Sequence, residues 1–230
     1  RLAEHFGRSF DEEKLKEIIR TENETRDLLE QFFQLQKDHW YPGELISHLY
    51  LMMGTHLMMG TRELRDLAAF LVEDIQKYPA FDGKRILWVH LMPFYQETLK
   101  EYFNENQKYQ IIASDMELDG PRHLDENAPF RALAQKIIAN LFNGSYSHKA
   151  KVIGDLAEEL QPDAVIHFCH WGCKQAAGGS ILLKEKMQEL GIPMLILDGD
   201  GIDRRNSHDG QIRTRLEAFL EMLEAEQKVC

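Results

Sequence analysis

The chain has 230 residues, 43% of them hydrophobic and 28% charged, an ordinary balance for a folded globular protein with ample material for a core. Its net charge is −11 and no Lys/Arg run stands out, which argues against a nucleic-acid partner, because phosphate neutralisation needs clustered cations. Three cysteines, one of them Cys230 at the extreme end, do not make a disulfide framework and suggest a reducing, cytoplasmic setting; no leader pattern and no run of about 18 apolar residues marks a signal or a membrane span.

The sequence opens on Arg1 and enters helical pattern almost at once. A longer polypeptide is expected from this, with a processed natural terminus as the alternative. Residues 1–80 read as a helical lead-in joined to a missing N-terminal domain. "SFDE" has the form of a capping box, with Ser9 as N-cap and Glu12 reaching back. Apolar residues at Leu15, Ile18, Ile19, Leu28, Leu29, Phe32, Phe33 and Leu35 then predict one long helix with a polar middle, "TENETRD". "YPGE" breaks it, and Pro42 is expected in the first turn of the next helix. That helix carries "LMMGTHLMMGT". The favoured reading is a core-facing helix end with close contacts at Gly54 and Gly60; the other is a flexible Met-lined surface for an acyl chain. Thr61 is expected to cap a third helix running to about Tyr78.

From residue 81 to 230 the pattern becomes α/β. Apolar runs over 84–92, 109–116, 163–169 and 193–198 predict strands. Helices are expected over 94–106, 130–142, 148–160 and 174–190, the last closed by Gly191. A final helix has the buried stripe Ile212, Leu216, Phe219, Leu220 and Leu223. The fold class is α/β: a parallel sheet of four strands, or slightly more, flanked by helices in Rossmann or flavodoxin-like manner, behind a helical lead-in. Right-handed crossovers bring every strand-to-helix loop to one edge, where open α/β sheets bind ligands. Neither GxGxxG nor GxxxxGK[ST] occurs, so nucleotide binding lacks motif support.

Two of the three cysteines lie in "FCHWGCKQAAGG" at that edge. Cys173 falls at the start of a helix, where free N–H groups and the helix dipole favour thiolate, and Lys174 adds a nearby cation. Cys169 ends an apolar strand and reads first as a small buried hydrophobe. Three chemistries stay open. Cys169 and Cys173 with His167 or His170 could hold zinc, although a second ligand pair is missing. Cys173 with His170 as base could act as a nucleophile, although no orienting group is marked. An iron–sulfur cluster would need cysteines from elsewhere.

"HFCHWGCKQAAGG", followed by "GIPMLILDGDGIDRRN" and "GQIRTRLEAFLEML", resembles the 2-hydroxyacyl-CoA dehydratase family, which includes 2-hydroxyglutaryl-CoA dehydratase and benzoyl-CoA reductase subunits. The resemblance is specific from about Ala164 to Leu223 and extends weakly to residue 1. It covers only the C-terminal part of family subunits. It implies a [4Fe–4S] cluster between two related α/β domains, with Cys173 as the ligand from this one. One thiolate is a poor cluster site, so the cluster is expected to be absent or incomplete in this chain by itself. The implied reaction removes water from an (R)-2-hydroxyacyl-CoA through a ketyl radical anion. The implied partners are a second homologous subunit, an ATP-dependent iron–sulfur activator and the acyl-CoA substrate. The alternatives are a non-catalytic acyl-CoA or redox-partner binding subunit, and a benzoyl-CoA reductase-like subunit.

Other residues at the same edge have competing readings. In "DGDGIDRRN", Arg204 or Arg205 could contact CoA phosphates, steadied by Asp203. Asp198, Asp200 and Asp203 could hold a metal, or the segment could be a turn whose carboxylates bond their own backbone. Gln175 could hydrogen-bond a cluster sulfide or substrate, or serve the helix start. "AAGGS" lets that helix approach the sheet or a cofactor closely. His90 reads as a satisfied core histidine. His123, His148 and His208 are assigned no role, and no catalytic residue is identified.

Overall fold

The computed structural model describes residues 1–117 and 123–227. In chain order its elements are α1 (Leu2–His5), α2 (Glu12–Leu35), α3 (Leu45–Leu57), α4 (Arg62–Ile75), β1 (Lys84–Val89), α5 (Glu97–Phe103), β2 (Tyr109–Ser114), α6 (Pro129–Ala139), α7 (Tyr146–Leu160), β3 (Ala164–His170), α8 (Lys174–Glu189), β4 (Met194–Gly199) and α9 (Asp209–Gln227). The four strands form one parallel sheet in the order β2-β1-β3-β4. The strands are near-continuous apolar runs because both faces are covered. Leu87, Val89, Ile112 and Val165 face α2, α4, α7 and α8. Their neighbours Ile86, Trp88, Ile111, Ile166 and Phe168 face α5 and α9. The expected stripe of the last helix (Ile212, Leu216, Phe219, Leu220, Leu223) is buried in that second core.

The lead-in helices belong to the first core. Leu29, Phe32 and Phe33 of α2 pack with Ala68, Val72 and Ile75 of α4 and with the sheet. Part of the polar middle of α2 is buried too, at Glu22, Thr25 and Arg26: Glu22 takes Arg26 at 3.2 Å and Lys136 of α6 at 2.7 Å. The exposed flank of β2, an edge strand, is covered by side chains. Gln36 Nε2 donates to the Ile112 carbonyl at 2.7 Å, and Glu117 accepts from the Ser114 N–H at 2.8 Å.

Several local expectations are corrected. The cap of α2 is Asp11, whose carboxylate accepts from Lys14 N at 2.9 Å; Asp caps as well as Ser and also opposes the helix dipole. Pro42 lies before α3, which starts behind Glu44. The Met-rich segment faces the core on one side only: Leu51 and Met59 pack against the first core and Gly54 is buried, while Met53, Leu57 and Met58 are exposed. Its glycines do make the expected contacts, with Leu64 near Gly54 and Ile18 near Gly60. Thr61 caps α4 as expected, and Gly191 follows α8 at φ +70°. The loop expected over 117–129 falls partly on residues outside those described, as does Cys230.

Candidate functional site

Strand order reverses between β1 and β3, which are adjacent although β2 lies between them in sequence. Parallel sheets open a crevice at such a point, beyond the carboxyl ends of the strands. Around it stand His90, just after β1; Asp115, just after β2; His167, Cys169 and His170 of β3; Cys173 at the start of α8; and Tyr146 and Lys149 from the first turns of α7.

Cys173 is the N-cap of α8, with extended backbone and its sulfur accepting from Ala176 N at 3.4 Å. It is half-buried and a free thiol. A sulfur so placed stands at the positive end of the helix dipole. Cys169 is different. It is 4% exposed, 3.7 Å from His167 Nδ1, and burial pushes its thiol up to about 11, against a lowering hydrogen bond with Ser180. In the metal-free chain it stays protonated at neutral pH. His170 ends β3 and accepts the Gly201 N–H on Nδ1 at 3.0 Å, tying β3 to the loop after β4. Among the described residues, no group of three or more His, Cys, Asp or Glu side chains converges to hold a metal ion.

Deeper in the crevice lies a buried polar cluster that the sequence did not disclose. Lys149 and Asp115 are both fully buried, with Nζ 3.0 Å from Oδ2 but without hydrogen-bond geometry. Asp115 Oδ1 accepts the His90 backbone N–H at 2.7 Å, holding His90 at φ +73°. Lys149 Nζ also stands 4.3 Å above the Phe142 ring. His90 Nδ1, Asp115 Oδ2, Tyr146 Oη and Lys149 Nζ are buried without a hydrogen-bond partner among the described residues. His90 is therefore a core histidine, as expected, but not a satisfied one. Burial lowers both His90 and His167 to about 4, so both rings are neutral at pH 7. Burial raises Tyr146 further above its ordinary range, with help from Asp115, Cys169 and Cys173. The Tyr146 ring occupies the place where a Cβ on Gly179 would be, 2.0 Å from it. The small residues of "AAGGS" thus admit a tyrosine of α7. A buried aspartate ending an apolar strand was a legible hint of this cluster; a buried lysine on α7 carried none.

The remaining sequence candidates are placed around this edge. Gln175 is half-buried, with Nε2 3.5 Å from the Phe142 carbonyl. Arg204 and Arg205 are exposed; Arg205 is paired with Asp203, Nε to Oδ1 at 2.9 Å. Asp200 is held to about 2 by Asn206 and by the backbone N–H groups of Asp203 and Ile202, the signature of a self-bonded turn. Asp198 is taken by Arg215 of α9. Trp171, Ile202 and Phe94, in the segments that follow β3, β4 and β1, leave apolar surface exposed.

Fold and site together define a parallel α/β protein with helices on both faces and, among the described residues, one reachable thiol at the carboxyl edge of its sheet. The chain belongs to the family described as 2-hydroxyglutaryl-CoA dehydratase, D-component, whose sequence model matches residues 1–223. It is also 23% identical over 234 residues to lactoyl-CoA dehydratase subunit alpha of Anaerotignum propionicum, covering 95% of this chain and 54% of that protein. The chain thus spans about half the length of this curated relative. No helix among the described residues is long and apolar enough to cross a membrane.

Proposed function

We propose that this chain is the C-terminal part of a subunit of a 2-hydroxyacyl-CoA dehydratase, a hydro-lyase acting on an (R)-2-hydroxyacyl-CoA. The reading rests on the family match and on one observation: Cys173 holds its sulfur at the N-terminus of α8, half-buried and at the carboxyl edge. The described residues fit a shared cluster rather than a complete one, because among them only Cys173 presents a half-buried sulfur at the edge while Cys169 is buried, and no group of three ligands converges. When bound, a [4Fe–4S] cluster would supply a low-potential electron beside the thioester. The chain's own residues would do the rest. Cys173 would anchor; Tyr146, packed on Gly179, would close the inner wall against water; neutral His90 and His167 would keep the crevice free of added positive charge. Arg204 and Arg205 would reach CoA phosphates from the rim, and Gln175 would donate a hydrogen bond towards cluster or substrate. A second homologous subunit and an ATP-dependent iron–sulfur activator complete the proposal, consistent with the words "D-component" and "subunit alpha" in the matched descriptions.

The test is anaerobic reconstitution of the longest native polypeptide, wild type against Cys173→Ala. Loss of bound iron and of the cluster EPR signal in the variant is expected, with Cys169→Ala retaining both. Full iron content in Cys173→Ala would overturn the assignment, as would stoichiometric zinc bound through Cys169 and Cys173.

A further inference from the structure

Helix α6 is built inside out. Its inward side carries Ala132, buried in a small cluster with Ile19 of α2 and Leu124, and Lys136, which pairs with Glu22 at 2.7 Å. Its large apolar residues point the other way. Phe130, Ala134, Ile137 and Ile138 recur at helical spacing along one stripe, and all four are exposed. The stripe continues onto the segment before α2: the Phe10 ring lies against Phe130 with centroids 5.3 Å apart, and Phe10 and Phe6 are exposed as well. No element among the described residues covers this face. Contiguous apolar surface of this kind marks an interaction site. The face also reaches the thiol edge, because the turn out of α6 brings the Phe142 carbonyl to 3.5 Å from Gln175 Nε2, two residues beyond Cys173.

We propose that the α6 stripe, together with Phe6 and Phe10, seats the preceding half of the same polypeptide and holds it beside Cys173. The inference rests on the reading of this chain as the C-terminal part of a longer subunit, and names the surface on which the two parts meet. The length fits: this chain covers 54% of lactoyl-CoA dehydratase subunit alpha, so a polypeptide of that size has about half its residues still to place. Chain that enters through Phe6 and Phe10 is delivered onto the stripe. A covalently joined domain meets the face at an effective concentration on the order of millimolar, which favours it over a separate chain.

The experiment places the photo-crosslinking residue p-benzoylphenylalanine at position 138 of the longest native polypeptide and maps the adduct by mass spectrometry. An adduct within one polypeptide, to a residue preceding Arg1, is expected. Ile137→Glu combined with Ile138→Glu should leave the melting temperature of the 230-residue chain unchanged, since both side chains are exposed. In the long polypeptide the same pair should speed proteolytic cleavage between the halves at least about tenfold, because cleavage follows the undocked population. An adduct to a second copy or to another subunit, no adduct, unchanged cleavage, or a native polypeptide without a preceding half would each overturn the proposal. Bound iron in the same sample reports separately on the dehydratase reading: a docked polypeptide that takes up no iron sinks that reading and leaves this one standing.

Discussion

The two faces of the sheet are built on different principles. Against α5 and α9 the core is apolar: Ile86, Trp88, Ile166, Phe168, Leu197 and Leu216 are all at or below 1% exposure. On the α7–α8 side, towards the carboxyl ends, the interior admits a lysine, an aspartate, two neutral histidines and a tyrosine hydroxyl, four of whose polar atoms lack hydrogen-bond partners among the described residues. Burying apolar area stabilises, while burying unpaired polar atoms destabilises. The first face carries the stability that the second one spends at the switch point, and such local violations concentrate at functional sites.

The sharpest way to break this contrast is to remove one member of the buried charge pair. Lys149→Met leaves the Asp115 carboxyl without its counter-charge in the interior, and should lose about 3–5 kcal/mol in urea denaturation. Lys149→Met combined with Asp115→Leu removes both charges and should recover most of that loss. Equal destabilisation of the single and double variants would show that the pair contributes packing and not charge.

The histidines provide a pH test of nearly the same size. His90 and His167 sit near 4 in the folded chain and near 6.5 when unfolded, so between those values the unfolded state binds more protons and folding weakens as pH falls. From pH 7.5 to 5 each ring should remove roughly 2 kcal/mol, a loss that levels off below about pH 4 for these two groups. Melting temperature should drop over that window while the Cε1 resonances of both rings stay unmoved. Resonances titrating near 6.5 would contradict their burial as neutral groups.

On the other face, Leu216→Ala should cost about 3 kcal/mol through a cavity under α9. It should leave the alkylation rate of Cys173 in the folded chain unchanged, because that thiol belongs to the opposite region. A changed rate would show that the two regions are mechanically coupled.

How much of this was legible follows from which residues carry periodic information. The strands and the last helix announced themselves because burial on a regular element repeats: the stripe from Ile212 to Leu223 could hardly point elsewhere. The edge position of Cys173 was equally legible, since a thiol between an apolar run and a helical pattern has few places to go in a parallel sheet. The Lys149–Asp115 pair was not. Its members are 34 residues apart in sequence, and lysine on a helix is ordinarily a solvated residue, so only the tertiary fold brings the two together. The Met-rich repeat was half legible: Leu51, Gly54 and Met59 do face the core, but which of the repeated methionines do so depends on helix phase, and Met53, Leu57 and Met58 are exposed.

The smallest effect separates a correct cap reading from an incorrect one. Thr61 and Ser9 both precede helical patterns, and both have the side chain a cap requires. Only Thr61 does the work, its hydroxyl accepting from Leu64 N at 3.4 Å at the start of α4, whose Leu64, Ala68 and Ile75 are buried in or near the first core. At α2 the N–H of Lys14 is already taken by Asp11, two residues after Ser9. Thr61→Ala should therefore destabilise by about 1 kcal/mol, Asp11→Ala by a similar amount, and Ser9→Ala by less than about 0.5 kcal/mol. Thermal denaturation of the three variants decides it: a loss at Ser9 matching that at Asp11 would mean that the capping box forms after all and that α2 begins earlier.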